Sequence, residues 1–212
     1  MHRLRVKFSR GEQLKFISHL DLMRLWERAL RRAGIALAYS EGFSPHPRIS
    51  LAAPLAVGVI SHAEMMDIFL ERRLSPSDFP EKVRPQLPDG IGIIEAAVVH
   101  LDEPSLQSRL RFAEYVVIVQ IPAGPMLQER INELLGKDSL PWHHARDTVD
   151  KFYDLRALID DLWLEEQQND TAKIGMRLRC DASGTGRPEQ VARALGFEDF
   201  PISIERTSLI FT

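Results

Sequence analysis

Arg24, Arg28, Arg31 and Arg32 stand close together in the segment between Leu20 and Gly34. A guanidinium offers five donors in a rigid fork that matches phosphate and carboxylate oxygens. The chemistry on offer is therefore recognition of an anion. Arg3, Arg5 and Lys7 alternate along an earlier segment and extend the candidate patch. Such a patch would hold RNA through its phosphates, with strong salt dependence, or dock an acidic protein surface. A merely solvated charged face is the ordinary alternative. The loop Ser40-Glu41-Gly42-Phe43-Ser44-Pro45-His46-Pro47-Arg48 follows. Gly42 permits a positive φ, and the two prolines stiffen the chain. His46 and Arg48 suit a phosphate or a nucleobase, and Phe43 either stacks on a base or plugs the core.

Other polar clusters give weaker signals. His19 and Asp21 are two apart on a helix and so point about 200° from one another, which disfavours a shared metal. Ser18 with Asp21 reads as a helix cap. Trp142-His143-His144 lacks a nearby third ligand, and Trp142 reads as a loop anchor. His62, Glu64 and Asp67 have the side chains for acid–base work, but their spacing gives no strong pairing. There is no phosphate-binding glycine loop, dinucleotide fingerprint or serine-nucleophile elbow. No metal, cofactor or catalytic residue is expected.

Charge is unevenly spread. Residues 1–48 hold ten Lys/Arg and four Asp/Glu, a net +6, within a chain of net −3. Residues 49–212 carry the remaining 17 and 26, a net −9. That asymmetry points to a first part that faces a polyanion or an acidic partner. Cys180 is the single cysteine, so no disulfide forms within the chain. No apolar run nears the roughly 20 residues needed to span a bilayer, and no signal-peptide core is visible, so a cytoplasmic protein is expected.

Local pattern gives the elements that must position these groups. Leu4, Val6 and Phe8 alternate with basic residues, the mark of a half-buried strand. Ser18 starts a helix whose apolar stripe is Leu22, Leu25, Trp26, Ala29, Leu30 and Ala33, and Gly34 stops it. Ile35–Tyr39 reads as a strand, as do Ile49–Val57 and Met65–Leu70. Ser77–Gln86 reads as a helix and Gly90–His100 as a strand. In the second half, strands are expected over Ala113–Ile121, Ile174–Cys180 and Ile202–Phe211, and helices over Pro125–Leu135 and Arg187–Leu195. Asp147–Asp154 and Arg156–Leu164 read as strands, or as a short helix followed by a strand. Ser183–Arg187 reads as a polar loop. Each half fits strand-helix-strand-strand-helix-strand. The expected fold is α+β, two tandem ferredoxin-like (βαββαβ) halves with antiparallel sheets. The domains would cover residues 1–103 and 112–212, joined by Pro104–Arg111.

The run Lys15–Asp21, then Arg28–Gly34, Tyr39–Arg48 and Pro54–Gly58, with Glu64 and Asp67, resembles the radical SAM-linked protein family. Arg187-Pro188-Glu189 and Arg206-Thr207 resemble its closing motifs. The resemblance implies a shared pathway with a radical SAM protein and no known activity. The expected function is a non-catalytic accessory module of such a system that binds RNA or presents substrate. Its contacts would be Arg24, Arg28, Arg31, Arg32, Phe43, His46 and Arg48. The alternatives are a protein-docking scaffold for the radical SAM partner, or an enzyme on a modified nucleotide using His46, Glu64 and Asp67.

Overall fold

The computed structural model describes residues 1–121, 126–144, 151–168 and 170–212. The chain divides into two compact units, Met1–Leu110 and Arg111–Thr212. Both mix helices with antiparallel strands, an α+β architecture.

The first unit runs β1 (His2–Arg10), α1 (His19–Arg32), β2 (Ile49–Leu51), β3 (Ile60–Leu70), α2 (Asp78–Val83), β4 (Ile91–Val99) and the single-turn α3 (Leu106–Arg109). β1 pairs antiparallel with β3 and β4, and β2 with β3, so the strand order is β2-β3-β1-β4. Successive strand residues face opposite sides. Leu4, Val6 and Phe8 therefore share one face with Met66, Ile68 and Leu70, and α1 lays Leu22, Trp26 and Leu30 onto the same core. Phe8 meets Trp26 edge-on, with ring centroids 5.0 Å apart.

Both ends of α1 are set by local chemistry. Ser18 Oγ accepts the Asp21 N–H at 3.2 Å and donates to the Asp21 carboxylate at 2.7 Å. Gly34 takes φ +68, and the Ile35 N–H reaches back to the Leu30 carbonyl at 3.0 Å. That is a Schellman stop, and it needs a residue without a Cβ penalty at this position.

The sequence misleads at two places here. Ile35–Tyr39 is not a strand but makes two isolated bridges, Leu37 to Leu70 and Tyr39 to Pro47. β2 already occupies the β3 edge from Met66 to Ile68, which leaves only the last β3 residues to accept it. Of Ile49–Val57 only Ile49–Leu51 is strand, in keeping with Pro54, which has no N–H for a ladder. The expected linker Pro104–Arg111 contains α3.

The second unit runs β5 (Leu110–Gln120), α4 (Leu127–Leu135), β6 (Pro141–His144), β7 (Lys151–Asp154), β8 (Ile159–Gln168), β9 (Thr171–Asp181), β10 (Gly184–Thr185), α5 (Pro188–Ala194) and β11 (Ser203–Phe211). β9 pairs antiparallel with β5 on one side and with β8 and β10 on the other, and β11 lies beside β5. Glu114 stands directly opposite Arg177 and accepts from it at 2.8 Å. Pro188 opens α5 in the first turn, where its missing N–H costs nothing. β6 and β7 form a separate hairpin, so Trp142 sits in a strand rather than a loop. Asp154 fastens its base: Oδ1 accepts N–H groups from Leu140 (2.8 Å) and Arg156 (2.9 Å). These bonds, Leu140's first, hold the Asp154 carboxyl below its ordinary pKa. Pro125 of the expected helix Pro125–Leu135 and residues 147–150 of the expected strand lie outside the described residues.

Candidate nucleic-acid interface

The helix arginines point away from the core, because the apolar stripe fixes the rotation of α1. Arg24, Arg28, Arg31 and Arg32 are all exposed. Two of them carry local counter-ions. Arg24 lies 3.6 Å from Asp21, and Arg31 lies 2.5 Å from Glu27. Among the described residues, Arg28 and Arg32 have no carboxylate partner. They are four apart, so they stack on one side of the helix. Both line a groove of about 450 Å³ whose opposite wall is Pro85, Gln86, Leu87 and Pro88. That places two uncompensated guanidinium groups along one concave surface, a geometry suited to adjacent phosphates.

Arg3 and Arg5 do not join this surface. The strand period sends them, with Asp67 and Phe69, to the sheet face opposite α1. Arg3 is 3% exposed and donates to Asp67 Oδ2 at 2.5 Å and to the Glu103 and Pro104 carbonyls at 2.7 and 3.1 Å. Arg5 grips the same carboxylate, Nε to Oδ1 at 2.9 Å and Nη2 to Oδ2 at 3.1 Å. These two arginines serve a buried ionic cluster under the turn after β4. Asp67 is thereby fully engaged, which removes it as a free acid–base group. Lys7 stands opposite Glu95 in the β1–β4 register.

The loop between Tyr39 and Pro47 is a closed excursion. Its base is held by Ser40 N–H to the His46 carbonyl (2.9 Å), His46 N–H to Ser40 Oγ (3.0 Å) and Arg48 N–H to the Ala38 carbonyl (2.8 Å). Gly42 adopts φ +122, which an L side chain rarely takes. Phe43 is 110% exposed, so it plugs no core. His46 is exposed as well. Arg48 stacks on Phe69 at 4.4 Å, and Arg3 lies over the same ring at 5.5 Å. Arg48 thus stands on the sheet face away from α1. The seven candidate residues form a helix set, Phe43 at the loop tip, His46 at the loop base, and Arg48 on the far face.

Sequence reasoning missed Arg72 and Arg73. The Glu71 N–H donates to the Ala36 carbonyl at 2.9 Å, which sets the residues after β3 beside the exit of α1. Arg72 and Arg73 are exposed there and have no partner among the described residues. No motif marks them, since the proximity comes from a pairing between segments 35 residues apart in number, Ala36 and Glu71. Glu64 is buried at 1% exposure and His62 is exposed. Among the described residues no group of three or more His, Cys, Asp and Glu could hold a metal. No helix among them is long and apolar enough to cross a membrane.

The chain is similar in fold to a protein in the crystal structure of a Cbf5-Nop10-Gar1 complex. The TM-score is 0.53 at 10% identity, over 97% of this chain and 48% of that one. Lower scores relate it to the archaeal box H/ACA sRNP Nop10-Cbf5 complex (TM-score 0.47, 8% identity, 96% of this chain and 46% of that one). They also relate it to an H/ACA RNP bound to a substrate RNA containing 2'-deoxyuridine (TM-score 0.46, 10% identity, 96% and 46%). The chain spans about half the length of the solved chains it matches. At this identity the likeness concerns fold alone. No curated protein matches the chain. A family profile described as "Uncharacterized protein conserved in bacteria (DUF2344)" matches residues 3–188.

Proposed function

This chain belongs to the DUF2344 family, and we propose that its first unit is a non-catalytic RNA-binding module. The observation that carries the reading is the split among the α1 arginines. Arg24 and Arg31 are neutralised within the helix, whereas Arg28 and Arg32 line a groove and have no counter-ion among the described residues. Phosphates supply the missing negative charge. Phe43, presented at the tip of a stiff loop, supplies a face on which a base stacks, and His46 stands exposed at the base of that loop. Arg72 and Arg73 extend the positive end. The order β2-β3-β1-β4 in the first unit and β8-β9-β5-β11 in the second supports reading each as a ferredoxin-like half. The domains proposed at 1–103 and 112–212 fall close to the two compact units. The setting we propose is the cytoplasm, supported by a lone buried cysteine that offers no disulfide.

The test is an anisotropy titration of the full chain with single-stranded RNA at two salt concentrations. Arg28→Ala with Arg32→Ala is expected to weaken binding by about tenfold or more, since each lost phosphate contact removes released counter-ions. Arg24→Ala with Arg31→Ala should change it little. Phe43→Ala is expected to cost about 1–3 kcal/mol, the size of one base–aromatic stack. Equal effects from both arginine pairs would sink the groove as the site.

A second reading has its own observation. Phe16, Leu20 and Val57 are exposed apolar side chains, drawn together because the Gly58 N–H donates to the Lys15 carbonyl at 2.7 Å. That small apolar surface supports a protein-docking role for the same unit. A radical SAM protein as the partner rests on the motif resemblance alone. Co-purification that survives Arg28→Ala with Arg32→Ala but fails in Phe16→Ser with Leu20→Ser would favour docking over RNA.

A further inference from the structure

The second unit carries a pocket of opposite character. It encloses about 480 Å³ and is walled by Trp142, Phe197 and Phe200. Glu189, Glu198 and Asp199 line it against a single cation, Arg193. Glu189 has Arg187 at 3.8 Å. Among the described residues, Glu198 and Asp199 have no partner. Phe197 is buried, and its ring already lies under the Arg130 guanidinium at 5.7 Å, so the open faces are those of Trp142 and Phe200. Together with the free carboxylates they favour an organic cation, through cation–π attraction and charge-assisted hydrogen bonds.

An independent observation gives the rest of the ligand. Gln190 also lines this pocket and is only 5% exposed. Its Oε1 accepts from the Tyr153 hydroxyl, while its buried Nε2 has no hydrogen-bond partner among the described residues. A buried amide donor without a partner is uncommon in folded proteins. It asks for a carbonyl acceptor, which a peptide backbone carries and a simple amine does not. A fastened hairpin supplies one wall, and the connection from α5 to β11 supplies Glu198, Asp199 and Phe200. Trp142 is opposite Tyr153 in the β6–β7 hairpin, whose base Asp154 fastens, and His143 stacks on Phe152 at 4.6 Å.

We propose that this pocket binds an arginine side chain of a partner peptide, with the guanidinium at Glu198 and Asp199 and a neighbouring backbone carbonyl on Gln190 Nε2. The site is separate from the arginine groove of the first unit, and nothing in its recognition requires RNA. The probe is N-acetyl-arginine-N'-methylamide, titrated into the full chain while amide NMR shifts report the occupied residues. Shifts centred on residues 142, 190 and 197–200 are expected. Glu198→Gln with Asp199→Asn should weaken binding roughly tenfold, as loss of complementary charge does. Arg193→Gln should leave it equal or tighter. Methylguanidinium and spermidine, which lack the carbonyl, should bind more weakly than the arginine probe. A probe that moves no pocket residue, or binding that survives the double carboxylate change, would overturn the proposal. So would binding that Arg193→Gln abolishes, because the pocket would then be selecting an anion. Spermidine binding tighter than the arginine probe would assign the pocket to a free polyamine and overturn the peptide reading.

Discussion

At the residue scale, Asp67 shows how one position changes meaning once its neighbours are known. In sequence it is an acidic group near a histidine and a glutamate, a possible acid or base. In the fold it is the shared counter-ion of Arg3 and Arg5 on the sheet face away from α1. Breaking a buried pair leaves the partner's charge without compensation. Asp67→Asn is therefore expected to destabilise the first unit by about 3 kcal/mol, read as a lower urea midpoint. A variant of wild-type stability would mean that Glu103, 3.7 Å from Arg5, suffices to hold the cluster. Arg3 and Arg5 could be assigned to the outer face from alternation with Leu4 and Val6. Their burial could not, because the turn at His100–Pro104 that covers them is nearly a hundred residues distant. Phe43 is the reverse case. Its hydrophobicity argues for the interior, yet the loop base closes on backbone bonds and leaves the ring outside.

At the element scale, the readable features were those that a helix or strand carries within itself. The α1 boundaries follow from Ser18 and Gly34, and its buried side from Leu22, Trp26 and Leu30. The apolar alternation of β5 places Ala113, Val117 and Val119 inside. Elements defined by a partner were not readable. Ile35–Tyr39 has strand chemistry but finds its edge taken by β2, and Trp142 belongs to a hairpin that lacks alternation. Gly175 is another such position. In the β8–β9 register it lies opposite Trp163, and a Cβ there would stand 2.0 Å from Trp163 Cε2. The indole lies over the glycine, so a methyl group must displace it. Gly175→Ala is expected to cost about 1–3 kcal/mol, the usual range for forcing extra volume into a packed site. The penalty should shrink when Trp163→Ala is already present, measured as a double-mutant cycle by denaturant unfolding. Full additivity would place the clash elsewhere.

At the scale of the whole molecule, charge decides how the RNA reading can work. The chain is net −3, and everything after residue 48 sums to −9. Its overall charge gives a polyanion no net attraction, so binding has to come from a local surface where cations lack counter-ions. Salt separates a local surface from a diffuse field. For single strands the logarithm of affinity falls with the logarithm of salt by about 0.7 per phosphate contact. Losing Arg28 and Arg32 should therefore flatten that slope by about 1.4. Losing Arg24 and Arg31 removes the same formal charge from the same helix. Their partners Asp21 and Glu27 remain, so local compensation changes while the groove does not. The slope should then stay near that of the unaltered chain. If the two double variants flatten the slope equally, formal charge rather than the groove governs association, and the pairing pattern on α1 carries no recognition. If only the Arg28 and Arg32 pair flattens it, two phosphates sit on that groove, and the Pro85–Pro88 wall becomes the place to look for what distinguishes one RNA from another.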